Sequence, residues 1–336
     1  MPMTLGDSAQ NYFLKTTNFE LKEKLNRLTE ELSSGRHADL PAQLGATQNR
    51  LVEVNSRLTM VDTELSAATD LANVLSTTQF ALSRADDVRD LLVGPLMAIS
   101  PEPGQAELSA AAQNGELTFG DMVSALGTRY GGQALFAGTD TEGTALAPAE
   151  DILADLRASL AASAPADGAA LAAQVQAWFE PGGGFDTSGY LGDTGALATR
   201  RLGPGGPSVT MSARADDPAI REALAGAALA AVAMDGVPPM TEPEVADVMH
   251  KAGEVLISAG NAMAHLQGRL GLSEQRIEEA RVRLGAEQTS LSILRNDMVN
   301  ADPYSTAAAL QEVQVQLEMH YTITARMSEM TLTRYI

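Results

Sequence analysis

From Ala46 to Val93 the chain contains no glycine and no proline. Across that span Leu51, Val54, Leu58, Val61, Leu65, Ala68, Ala72, Leu75, Gln79 and Leu82 recur at alternating three- and four-residue steps. This is a heptad seam, and it predicts one long helix closing near Gly94–Pro95. A second long helix is predicted after the hinge Val237-Pro238-Pro239, where Thr241 and Glu244 are spaced as a capping box. Leu256, Met263, Leu266, Leu270, Ile277, Leu284, Leu291, Leu294 and Met298 mark its apolar side, and it ends before Pro303. A helix of about fifty to sixty residues is roughly 75–90 Å long. A compact globule of this chain length has a radius of gyration of about 20 Å. Two such helices do not fit inside it. The expected fold is therefore mainly α: an elongated antiparallel bundle of long helices, the first half outbound and the second returning.

The two ends carry apolar stripes of their own. Asp302 is placed to cap a last helix, with Pro303 at its first position, where the missing N–H costs nothing. Leu310, Val313, Leu317 and Tyr321 form one apolar face of it, while Val315, Met319, Ile323, Met327 and Met330 form a second row. A helix apolar over so much of its circumference needs partners on several sides. Near the N-terminus Leu14, Leu21, Leu25, Leu28 and Leu32 share one stripe, and Gly35 stands where a helix C-cap glycine would. One helix covers one face of another but not two. Both ends could instead fold back into a single globular core. The reading adopted is that the termini pair within the molecule and that neighbouring molecules meet the remaining apolar surface. The assembly interface is then expected at Leu21, Leu25, Leu28, Leu32, Leu310, Val313, Leu317, Ile323 and Met327.

Between the long helices the pattern is weaker. A helix is predicted from Asn114 to Ala134, broken by Gly131–Gly132, then a strand-like piece and turn from Ala134 to Thr141. Ala-rich helices are predicted at Pro148–Leu160 and Ala169–Phe179, and another helix at Pro218–Met234. Leu197–Leu202 and Ser208–Ala213 flank Gly203-Pro204-Gly205-Gly206 as a β-hairpin would. The expected division is a terminal helical domain, 1–40 with 301–336; a long-helix rod, 41–140 with 213–300; and a small inserted α+β domain, 141–212. Trp178 and Phe179 are expected to anchor the core of that insert.

Composition removes several functions. The formal charge of -20 repels nucleic acid and anionic membrane surfaces, and aromatics at 4% offer little base-stacking area. No apolar run is long enough to span a bilayer. The chain has no cysteine, which removes disulfides, thiolate metal sites and thiol nucleophiles together. Its start lacks the basic-then-apolar pattern of a cleaved secretory signal, so any export is expected to use another route. His250 and Glu254 share a helix face at four-residue spacing, but no second histidine accompanies them, and a solvated face is the expected reading. The glycine-rich runs at 182–184 and 203–206 lack the context of a phosphate loop, and Asp140 and Glu142 supply only a fragment of a calcium loop. No catalytic, cofactor-binding or metal-binding residue is assigned, and an enzyme is not expected.

Several strings resemble one known family. Leu32-Ser33-Ser34-Gly35-Arg36 resembles the end of the first helix of the bacterial flagellin superfamily, and Phe136-Ala137-Gly138-Thr139-Asp140-Thr141 resembles a turn of the same superfamily. Asp302-Pro303-Tyr304, Arg326-Met327-Ser328 and Leu332-Thr333-Arg334-Tyr335-Ile336 resemble its closing helix. Asp39-Leu40-Pro41-Ala42 departs from the Asp-Asp-Pro-Ala of many relatives. The Phe136–Thr141 string and the Tyr-Ile ending lean toward the flagellin-like adaptors of the hook–filament junction rather than filament flagellin itself. The resemblance implies a structural subunit, handed over by a flagellar export chaperone and secreted unfolded through the flagellar type III channel. It also implies a ring of copies between a hook-side junction protein and filament flagellin. Filament flagellin, an extracellular hydrolase and an intracellular coiled-coil scaffold are the alternatives.

Overall fold

The computed structural model describes residues 5–45, 48–195, 197, 199–201, 208–210 and 213–329. Its helices are α1 (Leu5–Ser34), α2 (Leu40–Leu44), α3 (Gln48–Met97), α4 (Gln105–Leu126), α5 (Ala149–Ser163), α6 (Gly168–Phe179), α7 (Pro218–Val232), α8 (Glu242–Val299) and α9 (Pro303–Glu329). Two antiparallel ribbons join them, β1 (Arg129–Tyr130) with β2 (Gln133–Ala134) and β3 (Thr199–Arg201) with β4 (Ser208–Thr210). The fold is mainly α, as expected. The ten seam positions of α3 are all buried or half-buried. That helix runs two residues beyond the expected stop, carrying Pro95 in its last turn, on a side exposed to solvent along Leu91, Gly94 and Pro95.

Two compact units emerge, Met1–Thr63 with Gly285–Ile336, and Glu64–Leu284. The second holds one continuous core, from Ala68 on α3 to Ala280 on α8. Its closest helix pair is α4 with α7. A methyl on Gly115 of α4 would come within 2.8 Å of both the Ala230 side chain and the Ala231 backbone nitrogen. Gly115→Ala should therefore destabilise the protein. Its helix-propensity gain of about 1 kcal/mol is outweighed by an overpacking cost of ~1–3 kcal/mol. Gly120→Ala, on the same helix with open space around it, should instead stabilise by up to about 1 kcal/mol. Urea midpoints of the two variants test the opposite signs.

The expected helix from Asn114 to Ala134 needs correction at both ends. It starts at Gln105, after Gly104, and stops at Leu126, so the residues given to its last turns form the β1–β2 ribbon. Gly131 and Gly132 have φ of +56° and +83°, the left-handed conformation of a tight ribbon turn and not of a broken helix. In the following string Gly138 has φ +71°, and a Cβ there would lie 2.7 Å from the Asp193 carbonyl. Asp193 N–H donates to the Ala137 carbonyl at 2.9 Å and Ala215 N–H to Phe136 at 3.0 Å. The turn is thus a node where three stretches of chain meet.

The aromatic core of the 141–212 segment is not self-contained. Phe179 packs edge-on against Trp178 at 4.9 Å and against Phe119 of α4 at 6.3 Å, with Phe185 at 5.3 Å on another side. Buried Arg221 of α7 closes this cluster from beneath. Its guanidinium donates to the Phe179 carbonyl at 2.9 Å, to the Asp216 carbonyl at 2.7 Å and to the Asp186 carboxylate. It also stands 5.0 Å from the centre of the Phe185 ring. The β3–β4 ribbon pairs Thr199 with Thr210. The glycine-proline turn expected to join its strands lies outside the described residues.

Candidate assembly surface

In the first unit α1 and α9 pack against each other along one seam. Leu28, Val313 and Leu317 are buried, with Leu21, Leu25, Ala309 and Leu310 packed around them. On α9 the covered positions Thr306, Leu310, Val313 and Leu317 follow four- and three-residue steps, as two long helices in contact require. The register is set where α1 ends. Gly35 adopts φ +69°, a conformation that costs other residues about 1–2 kcal/mol. From there the Ala301 N–H donates to the Gly35 carbonyl and the His37 N–H to the Val299 carbonyl, both at 3.0 Å. Asp302 then caps α9, accepting from the Tyr304 N–H at 3.1 Å. In the same unit Arg57 of α3 pairs with Glu287 of α8 at 2.6 Å, and Gln288 donates to Asp62 at 2.6 Å.

The opposite sides of both helices expose apolar side chains among polar ones. Val315, Met319 and Ile323 of α9 are 53%, 57% and 51% exposed. At about 100° per residue, Val315 and Met319 point roughly opposite to Val313 and Leu317. On α1 Tyr12 and Phe19, one heptad apart and likewise opposite the leucine stripe, are 74% and 61% exposed. Sequence reading passed over these aromatics because the leucine row dominated the helix. Their seven-residue spacing in a chain poor in aromatic residues was the available signal.

The nine expected interface residues divide accordingly. Leu28, Val313 and Leu317 are buried in the intramolecular seam, with Leu21, Leu25 and Leu310 beside them. Leu32 stays exposed, at 40%. Ile323 belongs to the bare face. Of Met327 only the helical backbone is described, and Met330 lies outside the described residues. Tyr321, expected in the seam, is half-exposed and has the Lys22 ammonium 5.8 Å from its ring centre, a contact worth about 0.5–1 kcal/mol at a wet site.

Among the described residues no group of three or more His, Asp or Glu is placed to hold a metal ion. His250 faces the Ile99 carbonyl at 3.1 Å and joins α8 to the end of α3. No described helix is long and apolar enough to cross a membrane. The first unit presents a helix pair with one apolar seam covered and further apolar side chains open to solvent.

Comparison with known proteins bears on the same helices. The family model described as the bacterial flagellin N-terminal helical region matches residues 9–141. The one described as the bacterial flagellin C-terminal helical region matches residues 254–336. Together they take in more than half of the chain. No curated protein matches. Among solved structures, a protein described as a flagellar hook-associated protein of Vibrio parahaemolyticus is 10% identical, with a TM-score of 0.44, over 74% of this chain and 99% of that one. FlgL of Bacillus cereus is 10% identical, with a TM-score of 0.45, over 73% of this chain and 98% of that one.

Proposed function

The chain belongs to the bacterial flagellin family, and from that premise we propose that it is an adaptor subunit of the hook–filament junction, assembled through its terminal helices. As a flagellin-family protein it is a structural component of the bacterial flagellum. The observation that carries the assembly reading is the bare apolar row of α9, Val315, Met319 and Ile323. Burying three such side chains stabilises a contact by roughly 1.5–3 kcal/mol each, which a lone chain forgoes. The partners are further copies in a ring, a hook-side junction protein on one side and filament flagellin on the other. The Phe136–Thr141 string and the Tyr335–Ile336 ending support the junction over the filament.

Delivery is read as secretion of the unfolded chain through the flagellar export channel, with a chaperone covering the terminal helices before they leave the cell. The absence of cysteine agrees with a route that bypasses oxidative folding. Among the described residues the α1–α9 seam buries three hydrophobic side chains, Leu28, Val313 and Leu317, so the pair is cheap to open. Deleting Thr306–Ile336 should leave bacteria whose hooks carry no attached filament while the truncated chain is still made. Normal filaments on such cells would rule the assignment out. In purified flagella the chain should be a trace band, and a dominant band would make it the filament protein instead.

A further inference from the structure

The second unit holds a groove of about 500 Å³ between α6, α7 and α8. Its floor is apolar, built from Ala172 and Val175 of α6, Ala225 and Leu229 of α7 and Val248 of α8. Its rim carries three carboxylates, Asp167, Glu244 and Asp247. None of the three forms an ion pair among the described residues. Asp167 accepts only from the Ala170 N–H at 2.7 Å, and Glu244 only from the N–H and hydroxyl of Thr241 at 2.7 and 2.8 Å. The one cation on the rim, Lys251, is committed to Glu254 at 2.9 Å, and that glutamate lies outside the groove.

We propose that this groove docks a cationic amphipathic helix of another protein. An apolar trough between three helices, with Ala172 and Ala173 leaving room for close approach, is shaped for a fourth helix. The uncompensated carboxylates at its edge choose the charge of that helix: lysine or arginine flanking the apolar row. They also argue against the same groove of a second copy, since two acidic rims would repel each other. The proposal goes beyond the assembly role assigned to the terminal helices, and does not depend on it.

The test uses the full chain and a fluorescently labelled synthetic helix of about 14 residues, four turns long, made of leucine and lysine. A second peptide carries glutamine in place of lysine. Fluorescence anisotropy should show saturable binding of the lysine peptide and at least about tenfold weaker binding of the glutamine peptide. Ala173→Trp fills the groove at an exposed position without altering charge and should weaken lysine-peptide binding about tenfold or more. Asp247→Asn should weaken it while leaving circular dichroism unchanged. Undiminished binding to the folded Ala173→Trp protein would overturn the proposal, because it would mean diffuse attraction to an acidic surface. Equal binding of the two peptides, or no saturable binding, would overturn it as well.

Discussion

Replacing Val315 and Met319 together by glutamate should leave the chain folded and abolish its incorporation into flagella. Both side chains are more than half exposed and face away from the α1–α9 seam, so neither substitution touches Leu28, Val313 or Leu317. In the free protein the expected change in stability is within about 0.5 kcal/mol. In an assembled contact each change removes roughly 1.5–3 kcal/mol of apolar burial and adds a carboxylate to be desolvated. The sum exceeds about 3 kcal/mol, more than a hundredfold in association. Comparing the urea midpoint with the amount recovered in sheared, purified flagella separates the two effects. A variant that assembled normally would show that this face stays in solvent.

Arg221→Met should cost the second unit about 3–5 kcal/mol, the usual penalty for removing one partner of a buried ion pair. The substitution keeps an unbranched apolar stem but removes the guanidinium. It leaves the Phe179 and Asp216 carbonyls without their donors and Asp186 without its cation. Urea unfolding followed through Trp178, the chain's single tryptophan and part of the same cluster, reads the loss directly. Acid should expose the same arrangement. Burial pushes the Asp186 carboxyl up, but the Gly182 amide and the Arg221 guanidinium outweigh it and hold the group below the usual carboxylate range. A carboxyl depressed in the folded state contributes stability that is complete above the unfolded value, near pH ~4. That contribution is lost as pH falls through the depressed folded value. The parent protein should therefore weaken below about pH 4. In Arg221→Met burial and the Gly182 amide compete without the guanidinium, so the carboxyl is less depressed and this acid-dependent loss should shrink.

The long helices were legible because their information is redundant. Ten seam positions along α3 repeat one signal, and a single half-buried Gln79 does not spoil it. Glycine and proline also bracket each run, which is why Gly35 and Pro303 marked real ends. The middle of the chain offered no such repetition. In α4 alanines and glycines sit on every side, and what makes Gly115 a helix residue is the nearness of α7, which no local pattern encodes. Arg221 was invisible for the same reason: its partners lie 5, 35 and 42 residues away and are charges and carbonyls with no spacing rule. At the candidate surface the α9 sequence showed two apolar rows, and the structure assigns one to α1 and leaves the other open. Which row went inward was not readable, since both have helical spacing. Leu32 shows the limit of extending a stripe: it has the spacing of the row, yet it is left 40% exposed.

The most direct measurement is the oxidation of Met319 by dilute peroxide, read by mass spectrometry on the free chain and on intact flagella. Exposure of 57% predicts fast conversion to the sulfoxide in the free chain. In flagella, neighbouring molecules should cover the same sulfur and slow the reaction at least about tenfold. Equal rates in the two samples would contradict the account, because the open face of α9 would then have no partner to meet.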